Sequence, residues 1–214
     1  MDEFTDLPLF PLNVVMFPHA KMELHIFEER YKKMINECID EGKIFGINLF
    51  ANEKIFLTGC TSEISEVKRK TITGEFDIVS KGIRRYEIMN YKMTANKYFV
   101  GEVIFSKNSN FITDDIKFHE AVNNYNELTY IVYKGSIKPI DPNIEKWQTG
   151  EFSPSFLMAE KCGLSVAERQ TLLEINNEDD RIFFMLNYFE SIMPKLKDAD
   201  RIAKIIMSDG YLVQ

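Results

Sequence analysis

The 214-residue sequence has few cysteines and no long hydrophobic run. Its three cysteines, Cys38, Cys60 and Cys162, are odd in number and far apart, which argues against a disulfide framework. A membrane-spanning helix needs about 18 consecutive apolar residues, whereas the apolar stretch Leu7–Pro18 is short and contains three prolines. The start, Met1–Asp6, is acidic where a secretory signal would be basic. We therefore expect a cytoplasmic, globular protein.

Positive charge is also scarce. Lys and Arg number 26 against 33 Asp and Glu, which gives a formal net charge of -7. An acidic chain repels a phosphate backbone, so a nucleic-acid-binding protein of this composition needs a local basic patch. The basic clusters are Lys68–Lys70 and Arg84–Arg85. We interpret them as solvated charges on hairpins, and an RNA-binding patch is the alternative.

Motifs for catalysis and cofactor binding are missing as well. No glycine begins the Gly-x-x-x-x-Gly-Lys-Ser/Thr loop that binds the phosphates of ATP. The histidines, His19, His25 and His119, lack the spacing of a metal site on one helix face. A zinc site from His19, His25 and Cys60, or a Cys60 nucleophile acting with His25, is less favoured than loop and core roles. We therefore predict no catalytic residue, no metal site and no cofactor, and a cryptic hydrolase is the least favoured function.

Residues 1–108 have the pattern of a β-rich domain, in which short runs of Ile, Val, Phe, Tyr and Thr are separated by turn residues. These runs are Ile44–Phe50, Ile55–Val67, Ile72–Val79, Ile83–Tyr91 and Tyr98–Ser106. One helix is predicted at about residues 27–41, where apolar residues recur at helical spacing. We expect Phe27 and Tyr31, one turn apart on its apolar side, to be buried against the sheet.

Residues 109–214 change to a helical period. Helix starts are predicted at Thr113, Ser153, Ser165 and Asn177, because each is a residue type that caps a helix N-terminus. Pro194 is expected to break or kink the last helix. The predicted fold class is α+β, with a β-rich subdomain at 1–108 followed by an α-helical bundle at 109–214.

Several segments resemble the Lon protease N-terminal (substrate-binding) domain family. The most specific is Leu7–Pro18 followed by Leu24–Tyr31, because its prolines and its His-Ile-Phe-Glu step sit at fixed distances. The resemblance continues at Gly59–Ile64, Lys81–Ile88, Leu164–Glu174 and Asp180–Ile182. It implies a PUA-like β-barrel followed by a helical bundle. Full-length Lon proteases add an ATPase module and a Ser-Lys protease module, so the resemblance indicates a stand-alone member that lacks both.

The same resemblance implies a function, namely the non-catalytic recognition of polypeptides in protein quality control or proteolysis. The expected partners are unfolded or extended polypeptides, with a separate protease or ATPase as a further candidate. Neither a membrane nor a nucleic acid is expected as a partner. The alternative is an RNA-binding PUA-like module.

We expect the polypeptide-binding residues in the two opening motifs. The candidates are Phe10, Pro11, Val14, Met16, His25, Phe27 and Tyr31. A short proline-broken segment cannot bury so many large side chains unaided, so some are expected to face a groove between the two halves of the chain. Prolines also leave sheet edges unpaired, which favours capture of an extended chain as an added strand. The alternative is that these side chains fill the core of the barrel.

Overall fold

The computed structural model describes residues 4–106, 111–148 and 152–208. The chain divides into two compact units. The first comprises Met1–Asn108 with Ser165–Asn176, and the second comprises Ser109–Leu164 with Asn177–Gln214. The first unit is therefore discontinuous in sequence, and it includes a segment that the sequence pattern assigns to the helical half. The boundary predicted near residues 107–110 lies outside the described residues.

The first unit contains a sheet of six strands. The strands are β1 (Thr5–Leu12), β2 (Lys21–Ile26), β3 (Phe45–Ala51), β4 (Lys54–Lys70), β5 (Phe76–Met93) and β6 (Phe99–Phe105). A helix, α1 (Glu29–Glu41), separates β2 from β3 along the chain. An apolar cluster is buried on the inner face of the sheet, where it is formed by Leu7, Leu9, Tyr86, Ile88 and Val103.

Five of the six strands pair in a cycle. β1 lies parallel to β3, and the pairs β3–β4, β4–β5, β5–β6 and β6–β1 are antiparallel. The proline-containing β1 is therefore paired on both sides, with Pro8 opposite Val100 of β6 and Pro11 opposite Asn48 of β3. The expectation that its prolines leave an edge unpaired is wrong. β2 lies outside the cycle, and among the described residues it pairs with β5 alone.

β5 is one long strand where the sequence pattern predicts two. Gly82, taken as the break between them, lies inside β5. A Cβ at this position would overlap the main-chain oxygen of Phe17, so glycine is required for the close approach of the segment before β2. The amide of Gly82 donates to the carbonyl of Ala20 at 2.9 Å, and its carbonyl accepts from the amide of His19 at 2.9 Å.

α1 begins two residues later than its apolar spacing suggests. Glu28 has an extended main chain, and its carbonyl accepts the first helical hydrogen bonds, from the amides of Tyr31 at 3.0 Å and Lys32 at 2.9 Å. Phe27 therefore precedes the helix instead of lying on its apolar face. Tyr31 is buried as predicted, with its ring centroid 4.3 Å from that of Phe10.

The described helices of the second unit are α2 (Asp115–Tyr133), a short 3-10 helix (Ile144–Lys146), α3 (Pro154–Ala159) and α5 (Glu178–Ser208). Ser153 caps α3 as predicted, whereas the N-cap of α2 is Asp114 and not Thr113. Of the two alternatives predicted at Pro194, a break or a kink, the break is wrong, since α5 continues through this residue. Thr113 contacts Asp179 at the start of α5, and Lys134 at the end of α2 contacts Asp200, so α2 and α5 run in the same direction.

A fully buried ion pair joins α3 to the first turn of α5. A carboxylate oxygen of Glu178 accepts hydrogen bonds from Arg181 at 2.6 and 2.9 Å and from the Ser153 hydroxyl at 2.7 Å. The other oxygen accepts from the amide of Ser155 at 2.8 Å, which caps the N-terminal end of α3. The Arg181 guanidinium also lies over the ring of Phe156. This network fixes the two helix starts relative to each other.

The remaining helix, α4 (Val166–Glu174), belongs to the first unit. It opens with the predicted capping box of Ser165 and Glu168. The Gln170 side chain donates to the carbonyl of Thr58 on β4 at 3.1 Å. Beyond α4, the buried Arg85 of β5 donates to the carbonyl of Ile175 and to the side chain of Asn176, the latter at 2.7 Å. These bonds explain why the segment packs on the sheet.

Candidate polypeptide-binding site

The glycine and tyrosine positions that support the family resemblance have structural roles. The hydroxyl of Tyr86 donates to the side-chain oxygen of Asn48, whose nitrogen donates to the carbonyl of Phe56 at 2.9 Å. A Cβ at Gly59 or Gly46 would collide with the Tyr86 hydroxyl. Burial raises the pKa of Tyr86 well above its usual value, so this phenol stays neutral. These residues hold the strand cycle together.

Three of the seven predicted binding residues are buried. Phe10 is 4% exposed, Met16 is 1% exposed and Tyr31 is 5% exposed, so none of the three side chains presents a surface to a partner. Pro11 and Val14 are half-buried. The cycle of strands provides the core that a short segment could not form alone, which is why the alternative reading of Phe10 and Met16 as core residues describes the structure better.

The other two predicted residues, His25 and Phe27, lie together on the surface. Phe27 is 60% exposed, so the prediction of its burial is wrong. The physical reason is the late start of α1, which leaves Phe27 in the turn after β2. The rings of His25 and Phe27 stack at a centroid distance of 5.8 Å and an angle of 24°. They form an exposed aromatic step at the end of β2.

The charged groups around this step are paired with one another. Nδ1 of His25 lies 2.7 Å from Oδ1 of Asp77 on β5, and the Arg69 guanidinium of β4 donates to Oδ2 at 2.6 Å. Glu23 of β2 accepts from Lys68 of β4 at 2.5 Å. The hydrogen bonds from His25 and then Arg69 lower the pKa of Asp77 below its ordinary value. The face therefore has little unpaired charge, and Phe27 is its main apolar feature.

The outer side of β2 is open. Its six residues pair in regular register with β5, from Lys21 opposite Lys81 to Ile26 opposite Phe76, with no bulge. No other strand of the described residues pairs with β2. We call Lys21–Ile26, with Phe27 following it, the β2 edge. A regular unpaired edge can accept an added strand through main-chain hydrogen bonds.

The two basic clusters do not form a free cationic patch. Lys68 and Arg69 are held by the carboxylates of Glu23 and Asp77. Arg84 lies 3.3 Å from the ring centroid of Phe105, and Arg85 is buried. The interpretation of Arg85 as a solvated charge is wrong, because α4 and the residues after it cover it. Sequence patterns show a basic pair at this point and do not reveal its distant partners.

All three cysteines are buried, and burial raises the pKa of Cys60 to about 12, which keeps the thiol protonated. No group of three or more His, Cys, Asp and Glu in the described ranges could hold a metal ion. Within those ranges, no helix is both long enough and apolar enough to cross a membrane.

Solved structures share this fold. A Lon N-terminal domain protein from Xanthomonas campestris matches with a TM-score of 0.65 and 23% identity, covering 86% of this chain and 98% of that chain. The N-terminal domain of the Lon protease of the Mycobacterium avium complex matches with a TM-score of 0.62 and 14% identity, covering 87% and 98%. The mixed α/β architecture, with a six-stranded sheet and following helices, is thus that of Lon N-terminal domains.

The sequence comparisons identify the family. The model of the ATP-dependent protease La (LON) substrate-binding domain matches residues 6–189, and the chain belongs to this family. A Lon protease of Flavobacterium johnsoniae is 27% identical over an alignment of 207 positions, and this alignment covers 89% of this chain. The chain spans only 24% of the length of that relative.

Proposed function

We propose that this protein recognises extended polypeptide segments without catalysis, by adding them as a strand to the β2 edge. The family supplies the class of ligand, because its description is that of a substrate-binding domain. The observation that supports the site is the coincidence of a strand edge that has no partner among the described residues with the exposed Phe27 at its end. A role within Lon-type proteolysis, and association with a protease, belong to the same proposal.

The PUA-like barrel of the sequence prediction is part of this proposal. The cycle of five strands is the pairing pattern that a barrel has. Pairing of β1 on both sides removes the proline-containing segment from the candidate edges. β2 then remains as the strand whose whole outer side has no strand partner within the described residues.

Strand addition divides recognition between main chain and side chains. Hydrogen bonds to the β2 main chain provide affinity without sequence preference, as a binder of varied unfolded chains requires. Phe27, stacked on His25, offers an apolar contact for one side chain of the added segment. The RNA-binding alternative has less support, because Arg85 is buried and the Lys68–Lys70 cluster is engaged by side chains of the first unit.

The test is fluorescence anisotropy of a labelled ten-residue peptide of alternating Val and Gln, titrated with the full chain. Phe27→Ala should weaken binding roughly tenfold, which corresponds to about 1.4 kcal/mol and is in the range found when an aromatic anchor is truncated. Its thermal unfolding should stay unchanged, because the side chain is largely exposed. Phe50→Ala removes another exposed ring, on β3, and is the matched control.

N-methylation of alternate peptide residues tests the main-chain component. N-methylation removes amide donors and leaves the side chains in place. Only every second amide of an added strand faces the β2 edge, so binding should be lost when those amides are methylated and retained when the other set is methylated. Equal binding of both methylated peptides would contradict strand addition. Binding of single-stranded RNA, lost at high salt, would instead support the alternative function. ATP hydrolysis or casein degradation by the purified chain would contradict a non-catalytic role.

A further inference from the structure

A groove of about 840 Å³ lies between α2 and α5 in the second unit. Its lining residues from α2 and its C-cap are Glu127, Tyr130, Ile131 and Lys134, whose spacing places them on one face of the helix. On α5 the lining residues recur from Lys197 to Ser208 with the same three- and four-residue spacing. At 1.5 Å per residue this stretch is about 16 Å long, or some three helical turns. We call it the α2–α5 groove.

Large apolar side chains in the α2–α5 groove are open to water. Tyr130 of α2 and Ile205 of α5 are 70% and 53% exposed, and Ile131 is half-buried. Because all three line one groove, a single ligand can cover them together and remove their apolar surface from water. The groove therefore favours a ligand that has an apolar face.

Positive charge predominates in this groove. Among the described residues that line it, four are cationic and two are carboxylates. The cations are Lys134, Lys197, Arg201 and Lys204, and the carboxylates are Glu127 and Asp200. The chain as a whole has a formal net charge of -7, so the groove is opposite in sign to the protein that carries it. An acidic ligand is complementary to the groove.

The ion pairs within the groove leave part of this positive charge unbalanced. Asp200, only 13% exposed, accepts from Lys134 at 2.9 Å and from Lys204 at 2.6 Å, so one carboxylate serves two ammonium groups. The hydrogen bonds from Lys134 and then Lys204 lower the pKa of Asp200, which keeps its carboxylate ionised at neutral pH. Both lysine side chains are largely exposed, and an ammonium group has three donors, so each can bind a second acceptor.

The other two cations are accessible as well. Lys197 of α5 pairs with Glu127 of α2 at 2.8 Å. Arg201 pairs at 3.2 Å with Asp198, which is not among the lining residues. Both pairs are solvent-exposed, and such pairs contribute little energy, so a carboxylate of a ligand can share or replace them.

The two walls of the groove favour a helical ligand over an extended one. The main-chain groups within α2 and α5 are hydrogen-bonded along each helix, so an extended segment finds no strand edge to pair with. A helix satisfies its own main chain and interacts through side chains at i, i+3, i+4 and i+7 positions, as in helix-in-groove recognition. A ridge of such side chains fits between two neighbouring helices.

We propose that the α2–α5 groove binds an acidic amphipathic helix of a partner protein. The apolar face of that helix covers Tyr130 and Ile205. Asp and Glu residues beside this face lie against Lys197, Arg201 and Lys204. The inference goes beyond the proposed function, because it assigns a second binding surface, on the second unit, to a helix instead of an extended client.

The probe is a labelled amphipathic peptide of about 18 residues, long enough to form an isolated helix. Leu recurs at i, i+3, i+4 and i+7 positions, and Glu and Ala occupy the remaining positions. A second peptide has Gln in place of Glu. A third has the composition of the first in an order that gives no apolar face. Each peptide is titrated with the full chain, and fluorescence anisotropy is measured at low and at high salt.

The Glu peptide should bind roughly tenfold more tightly than the Gln peptide at low salt, as a few exposed ion pairs allow. The difference should shrink at high salt, because ions screen exposed charges. The third peptide should bind more weakly than the first, since its leucines cannot cover Tyr130 and Ile205 together. Glu127→Gln removes a carboxylate from the groove and should tighten binding of the Glu peptide.

Two pairs of variants locate the binding surface. Ile205→Ala should weaken binding of the Glu peptide roughly fivefold, because it removes apolar surface that the ligand covers. Ile206→Ala truncates an exposed isoleucine outside the groove and should leave binding unchanged. Arg201→Gln/Lys204→Gln should reduce the preference for the Glu peptide to about twofold. Lys161→Gln/Lys195→Gln removes the same charge from exposed positions of the second unit and should retain the preference.

The outcomes separate this inference from the proposed function. The ten-residue Val/Gln peptide should not displace the Glu peptide, and Phe27→Ala should bind the Glu peptide as the unmodified chain does. Failure of the Val/Gln peptide alone to bind would contradict the proposed function and leave the groove assignment standing.

Absence of Glu-peptide binding, equal binding of the three helical peptides, or equal effects of Ile205→Ala and Ile206→Ala would overturn the groove assignment. Displacement of the Glu peptide by the Val/Gln peptide would do the same, because the groove would then take extended segments. Self-association of the chain in sedimentation velocity that Ile205→Ala abolishes would also overturn it, because a second copy would then occupy the groove.

Discussion

The buried pair of Glu178 and Arg181 should be one of the most sensitive positions for stability. Glu178→Ala removes the acceptor of four hydrogen bonds, from Arg181 twice, from Ser153 and from the amide of Ser155. Both charged side chains have no solvent exposure, so Glu178→Ala would leave the Arg181 guanidinium buried and without the carboxylate of Glu178. Breaking such a pair typically costs 3–5 kcal/mol. We therefore expect Glu178→Ala to lower the free energy of unfolding by about 3–5 kcal/mol.

The same helix provides the matched control. Asp198 and Arg201 also have i,i+3 spacing on α5, at 3.2 Å, but their side chains are 67% and 73% exposed. Asp198→Ala should cost less than about 0.5 kcal/mol, since exposed pairs contribute little. Glu178→Gln keeps the side-chain volume and removes only the charge, so it separates loss of the ion pair from creation of a cavity.

The assay is urea unfolding followed by circular dichroism and by tryptophan fluorescence of Trp147, which lies in the second unit. The double variant Glu178→Leu/Arg181→Met should be more stable than Glu178→Ala, because it leaves no buried charge behind. If Glu178→Ala and Asp198→Ala destabilise the protein equally, the reasoning from burial is refuted.

Three further variants test other parts of the fold. Tyr86→Phe should cost about 1–3 kcal/mol in chemical unfolding, because it leaves the buried Asn48 oxygen without its donor. Phe10→Ser should destabilise by at least about 3–5 kcal/mol and not act through binding; a stable variant with weakened peptide binding would contradict this. Asp77→Asn should reduce the pH dependence of stability in acid. Because the pKa of Asp77 is lower in the folded protein than its ordinary value of 3.8, the ionised carboxylate stabilises the fold at pH values above 3.8. This contribution disappears as the pH falls through the lower, folded-state pKa. Acid titration of the melting temperature measures this, and identical profiles for both proteins would refute it.

Local signals in the sequence predicted the elements that depend on neighbouring residues. The capping box at Ser165 and the cap at Ser153 are confirmed, since each involves residues within three positions of each other. Pairings between distant residues were not predictable in this way. β1 pairs with β3 on one side and with β6 on the other. A proline-containing strand can be assigned to the interior of the sheet only when both of these partners are known.

The candidate site shows the same division. The His-Ile-Phe-Glu step indicated His25 and Phe27, which lie side by side on the surface. The sequence could not assign their exposure, because a shift of two residues in the start of α1 decides whether Phe27 faces the sheet or the solvent.

The discontinuity of the first unit has a consequence for its synthesis. The second edge of β1 can pair only after β6, about 90 residues later in the sequence, has been synthesised. Arg85 can form its hydrogen bonds to Ile175 and Asn176 only after those residues have been synthesised. A nascent chain that has emerged only as far as residue 108 therefore has all six strands and still lacks the segment that covers a buried guanidinium. Because domains generally fold as units during translation, the sheet would reach its final state only after most of the second unit has been made. A fragment ending at residue 108 should accordingly be sensitive to proteases, whereas one extended through Asn176 contains every residue of the first unit.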